Sequence, residues 1–490
     1  MPLIDGFDSF DAIALAQLVA TKQISAEELL DVVLSLAEER NPAINALVHV
    51  NGELARQHIR EGLPSGPLHG VPFLLKDLGS EAIDWPSHNG SRLLKNTTYH
   101  QNSILVDRLI ASGLVIFGRT TSPEGGIGSA TEARVYGGPT CNPWDLSRTP
   151  GGSSGGSGAA VAAGIVPAAH GSDGGGSVRI PAASCALFGF KPTRARIPDG
   201  PYSGEGWAGM AIDGFLTRSV RDQAILLDIV SGADEGAPYH PPAMSDSFHA
   251  ATLSTPARLR IGLVDTSFTG KAIDPAVRQA VVDTGAALEN LGHEIVPLQP
   301  DVNVDAMMHA WTDIVACGTA LWIDRALSRT GGKLRTDDIE PVARSAREYA
   351  QSISGSDYLA AVGQVHSFGR EMATLFHRAQ NPHAVDVILC ATLAEPPALL
   401  GRFDHNREDY LDYRLGPDGV FAYSPFTAIF NASGQPAASL PLGWTADGLP
   451  IGIHLACAFG EDALLMSLCA EIENTHPWFD KRSAMARGES

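Results

Sequence analysis

The chain is poor in the residues that would place it in several common protein classes. Its 490 residues hold only six cysteines (Cys141, Cys185, Cys317, Cys390, Cys457 and Cys469), and no two have CxxC spacing. A secreted disulfide scaffold needs a denser, paired set. Basic charge is also short: 35 Lys and Arg stand against 55 Asp and Glu, for a formal net charge of −20. Such a chain repels phosphate backbones and anionic lipid heads, which argues against a nucleic-acid or membrane-surface protein. Long apolar runs are missing. The longest weakly polar run near the middle, 159–169, contains Gly164 and Pro167 and falls far below the roughly 18 residues that span a bilayer. The opening residues MPLIDGFDSFDAIALAQ carry no basic n-region and no long apolar h-region, so no signal peptide is read there. The 16 histidines show no HExxH, EF-hand or paired Cys/His pattern, so no metal and no other cofactor is expected. The expectation is a reduced, cytoplasmic protein, with no nucleic-acid or membrane partner.

Apolar residues make up 44% of the chain, enough for a sizeable core. The first 60 residues read as helices: Ile13, Leu15, Ala16, Leu18 and Val19 recur at helical spacing. Ser25 and Glu28 form a capping box, and Asn41-Pro42 is expected to end that helix. Then short buried strands appear, at 71–75 ending at Lys76 and at 114–118, with a helix over 104–110 between them. Residues 131–215 read as loop-rich. Further strands are expected at 259–263, 295–298, 385–389, 438–442 and 451–456, with helices over 221–230 and 275–291 and a mainly helical stretch over 304–380. Strands alternating with helices argue for an α/β fold. No fixed-period repeat or long linker divides the chain, so one domain over 1–490 is expected.

The chemistry concentrates where glycine does. Ten of the 51 glycines lie between Gly151 and Gly176, in two clusters: Pro150 to Gly158 (PGGSSGGSG) and Gly171 to Arg179 (GSDGGGSVR). A P-loop needs Lys followed by Ser or Thr after its last glycine, and neither cluster supplies it. The GxGxxG spacing of a dinucleotide site is absent too. Gly151, Ser153 and Gly155 match a nucleophile elbow, but the preceding 142–150 is a poor strand, and an elbow requires one. A glycine-rich turn can also point successive backbone N–H groups into one concavity, with a serine hydroxyl beside them. That geometry suits acyl transfer. Gly174-Gly175-Gly176-Ser177 is such a segment, although a plain flexible loop is the other reading of the turn alone. Lys76, taken alone, reads as a lysine at a strand end with its ammonium in water. Asp173 and Arg179 read as a structural ion pair or as anchors of the turn. His170 and His454 suggest a Ser-His-Asp arrangement, but lone histidines are more often structural.

Lys76, the run GGSSGGSGAAVAAG from Gly151, and GSDGGGSVRIPA from Gly171 together resemble the amidase signature family. The resemblance extends over most of the chain, through GFKPT from Gly189, TRSVRD from Thr217, NASGQP from Asn431 and GLPIG from Gly448. Within the family it points to bacterial 6-aminohexanoate cyclic-dimer hydrolases and related broad-specificity amidases. It implies a large twisted mixed β-sheet flanked by many helices, with a catalytic core over about 60–210 and a helical pocket segment over about 304–380. It implies a Ser–cis-Ser–Lys triad with Ser177 as nucleophile, Ser153 after a cis Gly152–Ser153 bond as the bridging serine, and Lys76 as base. Gly174, Gly175 and Gly176 match the oxyanion-hole turn. Many members carry a larger apolar residue where this chain has Gly174, which implies a looser turn and a roomier pocket. Ile127, Gly128, Trp207 and Cys317 fall in segments that border the substrate.

The implied reaction is hydrolysis of a carbon–nitrogen bond in a linear or cyclic amide, aryl amide or carbamate, through an acyl-enzyme. The implied partner is that small molecule, acted on by a monomer or homodimer. The A-type chain of a tRNA-dependent amidotransferase shares these motifs, and an esterase-like hydrolase is a further alternative. The net charge of −20 and the lack of a basic tail count against the former.

Overall fold

The computed structural model describes residues 6–244, 246–379 and 381–489. The first five residues of the opening segment, where no signal peptide is read, and the last residue of the 304–380 stretch lie outside the described residues. The strands are β1 (Leu47–Val48), β2 (Pro72–Lys76), β3 (Val115–Thr120), β4 (Ala168–Asp173), β5 (Phe188–Lys191), β6 (Ile212–Thr217), β7 (Arg260–Leu263), β8 (Glu294–Pro297), β9 (Val387–Ala391), β10 (Ala437–Trp444) and β11 (Pro450–Cys457). They form one mixed sheet in the order β1-β3-β2-β4-β6-β5-β10-β11-β9-β7-β8. The pairs β2/β3, β2/β4, β7/β8 and β7/β9 are parallel, and the middle of the sheet is antiparallel. This is the α/β architecture expected from the sequence.

The expected strands and most helices appear within a few residues of their sequence positions. The capping box at Ser25 and Glu28 is present. Two local expectations differ. The helix Ala26–Ile44 runs through Pro42 and ends at Asn45 in the left-handed region. Proline in a last turn forfeits one hydrogen bond but does not force the chain out. Residues 131–215 are more regular than expected, holding β4, β5, β6 and the helices Gly155–Ala162 and Arg179–Cys185. Their small residues carry no strong period, but the neighbours they pack against select the conformation.

Strand β2 is buried along its whole length, as expected of a parallel strand covered on both faces. Leu74 pairs with Ala169, so the carboxyl ends of β2 and β4 lie side by side. This brings Lys76 next to Ser172. Ligand crevices of α/β sheets lie at such strand ends. The end of β2 is held by Arg119 of β3, which is fully buried. Its guanidinium donates to the carbonyls of Lys76 (2.8 Å), Ser80 (2.9 Å) and Trp85 (2.8 Å) and to Ser80 Oγ (3.1 Å). Among the described residues no helix is long and apolar enough to cross a membrane.

Replacing Arg119 by Ala leaves the carbonyls of Ser80 and Trp85 without these donors, each worth about 1–3 kcal/mol, and empties the space of a fully buried side chain, while the Lys76 carbonyl keeps Ser80 Oγ. Arg119→Ala should therefore lower unfolding stability by about 3 kcal/mol or more. A shift of the urea midpoint measures this; an unchanged midpoint contradicts the role given to Arg119.

Candidate active site

Lys76 ends β2 with no solvent exposure. Its Nζ lies 2.7 Å from Ser153 Oγ and 2.9 Å from Ser172 Oγ. Burial pushes its ammonium pKa down to about 7, although the carboxylates of Asp213 and Asp173 pull the other way. Its backbone N–H donates to His170 Nδ1 at 3.2 Å, and His170 Nε2 meets Asp213 Oδ1 at 3.1 Å. His170 therefore braces the lysine strand. Among the described residues no histidine ring nitrogen bonds the hydroxyl of Ser153 or Ser177, which disfavours a Ser-His-Asp arrangement.

Ser153 follows a cis Gly152–Ser153 peptide bond and precedes the buried helix Gly155–Ala162. A Cβ on Gly152 would stand 2.7 Å from Gly128 O and Ala130 N, so only glycine fits. Ser154 has a different task. Its Oγ accepts from Ser172 N and donates to Ser172 O, both at 3.2 Å, tying the turn to β4. The structure thus separates the two serines: Ser153 faces the lysine and Ser154 faces the backbone.

Ser177 stands on a short turn between β4 and the helix Arg179–Cys185. Asp173 organises that turn. Its carboxylate accepts from the N–H of Gly176 (2.7 Å) and Val178 (3.1 Å), from Arg179 Nε (2.9 Å) and Nη2 (2.8 Å), and from Asn431 Nδ2 (2.9 Å). Burial alone would raise its pKa, but Arg179 and Asn431 hold the carboxyl well below the carboxylate range. Arg179 also donates to His454 Nε2 at 3.0 Å. Arginine has no acceptor, so His454 carries its proton on Nδ1, 3.6 Å from Cys390 Sγ. The Asp173–Arg179 pair and His454 are thus anchors of the turn.

Ser153, Ser172, Ser177, Gly126, Gly174 and Trp207 open on one cavity of about 270 Å³. A second cavity of about 510 Å³ shares Asp199, Tyr202 and Ser203 with it. The Ser177 hydroxyl makes no hydrogen bond among the described residues. Of the three glycines expected to offer N–H groups, Gly176 gives its own to Asp173. Those of Gly174, Gly175 and Ser177 have no partner among the described residues. Of the four expected substrate neighbours, Trp207 lines the 270 Å³ cavity; Ile127, Gly128 and Cys317 are absent from its wall. Ile127 is fully buried, and Gly128 packs behind Gly152 against His405 and Tyr413. Cys317, whose thiol pKa is raised by burial and by Asp313, lies near Tyr349, Tyr358 and Tyr410. The roomier pocket expected beside Gly174 is filled from within the chain. A Cβ there would stand 2.5 Å from the Trp207 ring, so the indole takes the space that the missing side chain leaves. The described cysteines are free. Among the described residues no group of three His, Cys, Asp or Glu side chains is placed to hold a metal ion.

Sequence reasoning missed Trp311, Thr427 and the anchoring role of Asn431, which reach the turn from distant segments. Asn431 lay in a segment carrying the family resemblance. Trp311 and Thr427 had no local signal.

A serine on a turn with free N–H groups, beside a buried lysine–serine pair, has the parts for amide hydrolysis. The family described as Amidase matches residues 28–466, and the chain belongs to it. It is an amidase, a hydrolase of carbon–nitrogen bonds other than peptide bonds. The chain is 35% identical to the 6-aminohexanoate-cyclic-dimer hydrolase of Paenarthrobacter ureafaciens, over 96% of both chains. A solved structure of a 6-aminohexanoate cyclic dimer hydrolase is similar with a TM-score of 0.90 and 33% identity, covering 98% of this chain and 99% of that one. A bacterial aryl acylamidase of the amidase signature family is similar with a TM-score of 0.86 and 28% identity, with the same coverage.

Breaking a buried ion pair typically costs about 3–5 kcal/mol, so Asp173→Asn should destabilise the fold by that order at neutral pH. The folded pKa of Asp173 is depressed, so its contribution is present above the unfolded value near 3.9 and is lost as pH falls below it. The stability gap between wild type and Asp173→Asn should shrink on acidification, measured by urea unfolding across pH. A gap that holds constant from pH 7 to pH 3 contradicts the ion pair as its source.

Proposed function

We propose that this amidase works through Ser177 as nucleophile, Ser153 as proton bridge and Lys76 as base, forming an acyl-enzyme. The observation that carries the reading is Lys76 Nζ, fully buried and 2.7 Å from Ser153 Oγ. A lysine must be neutral to accept a proton. A free lysine, with pKa near 10.4, is almost wholly charged at pH 7, whereas burial brings this one to about 7. Ser153 then passes its proton to Lys76 and takes one from Ser177. Substrate-free sites often hold such contacts long and tighten them only on binding. The Ser177 alkoxide attacks the amide carbon, and the turn N–H groups receive the oxyanion. The relay returns the proton to the leaving amine, and water cleaves the acyl-enzyme.

The whole chain is read as one amidase signature domain. The adjoining cavities suit a small molecule with a chain or ring on one side of the scissile bond. Cyclic or linear amides of amino acids, aryl amides and carbamates fit this shape. The names of the similar proteins, a cyclic-dimer hydrolase and an aryl acylamidase, support the first two of these substrate types.

Ser177→Ala should abolish turnover of a p-nitroanilide, by about 10⁴-fold or more, with an unchanged circular dichroism spectrum. Retained turnover would sink the assignment. The rate should climb as pH rises through about 7, where Lys76 loses its proton, and level off above. A profile flat from pH 5 to 9 argues against lysine as the base.

A further inference from the structure

The turn before Ser177 is held from outside, one carbonyl at a time. The carbonyl of Asp173 accepts from Asn431 Nδ2 at 2.9 Å. That of Gly174 accepts from Trp311 Nε1 at 3.1 Å, and that of Gly175 from Thr427 Oγ1 at 2.6 Å. In a trans peptide unit the N–H points opposite to the C=O. Each anchor therefore also aims the following N–H. The Asn431 anchor directs the N–H of Gly174, the Trp311 anchor that of Gly175, and the Thr427 anchor that of Gly176. The Gly176 N–H is already taken by Asp173. The first two donors are free among the described residues, and Gly174 lines the cavity with Ser177.

Trp311 is held by packing on several sides of its ring. It is 2% exposed. Its ring meets Trp207 edge-on at 5.5 Å and Phe421 at 5.1 Å, and the Arg414 guanidinium lies 4.8 Å from its centre. A rigid aromatic donor fixes an acceptor direction at little conformational cost, whereas the dipole of a free glycine turn would wander.

We infer that Trp311 is a positioning residue for catalysis: its indole N–H holds the Gly174 carbonyl and so aims the Gly175 N–H at the oxyanion of the reacting amide. This rests on the reading of Ser177 as nucleophile. Trp311 touches no reacting atom. Its effect falls on the transition state, where the oxyanion forms, and not on the binding of a neutral amide.

The test is Trp311→Phe in the full-length protein, which keeps an aromatic ring and removes the N–H. Direct loss of an oxyanion donor costs about 10²–10³-fold in kcat; loss of the group that aims one should cost about tenfold or more. KM for the p-nitroanilide should change less than twofold. Affinity for phenylboronic acid, whose tetrahedral adduct on the serine places an oxygen where the oxyanion forms, should fall by the same factor as kcat. A merely structural tryptophan would not link those two losses. If Trp311→Phe does not fold, benzothienylalanine at 311 replaces the N–H by sulfur in a ring of the same size, and the same readouts apply. A kcat within twofold of wild type, or a lower kcat with unchanged boronate affinity, overturns the inference. Turnover surviving in Ser177→Ala overturns the underlying reading instead. Inactive Ser177→Ala beside fully active Trp311→Phe overturns the inference alone.

Discussion

The carboxylate of Asp173 and the guanidinium of Arg179 are both wholly buried, 2.8 Å apart. Removing two charges from water costs several kcal/mol per ion, and their attraction offsets this only when the remaining hydrogen-bonding sites are filled. Here they are filled. Asp173 accepts from the turn N–H groups and Asn431, while Arg179 donates to Asn431, the carbonyl of Thr427 and His454. The pair ties the end of β4 to the helix Arg179–Cys185, and it ties both to the segment around Asn431 and to β11. The turn that carries Ser177 is spanned by this one interaction, so its shape follows from the electrostatics beneath it.

The lysine side of the site depends on the opposite principle. Asp173 stays charged because a cation meets it. Lys76 is brought near neutrality by burial, against the pull of Asp213 and Asp173, and its amine meets the hydroxyls of Ser153 and Ser172. Two buried ionisable groups on neighbouring strands are thereby driven to different protonation states at the same pH. Arg119, behind the lysine strand, completes the arrangement by taking up the loose carbonyls at its end.

Much of the site was legible in the sequence. The two glycine–serine clusters, the short apolar strand ending in Lys76 and the cis bond before Ser153 all lie where the residues and the family resemblance place them. The strands β4, β5 and β6 were less legible. AAHGSD in β4 carries few of the branched or aromatic residues that favour strands. It is a strand because β2 and β6 pair with it on either side. The effect of Gly174 was likewise not local. A missing side chain reads as free space in one dimension, yet Trp207 reaches in from a later loop and fills it.

Glycine content sets what the backbone can do near Ser153 and Ser177, because a missing Cβ acts locally and can be read from the order of residues. The order of residues therefore marked where the backbone has unusual freedom, and the family resemblance, not the local pattern, singled out Ser153, Ser177 and Lys76 there. Tertiary structure decided what those groups are worth. The depressed pKa of Lys76 comes from burial by the surrounding fold. The direction of the turn's peptides comes from Trp311 and Asn431, 137 and 258 residues along the chain from the carbonyls they hold. Desolvation and long-range hydrogen bonds depend on distance in space, and no local pattern encodes that distance.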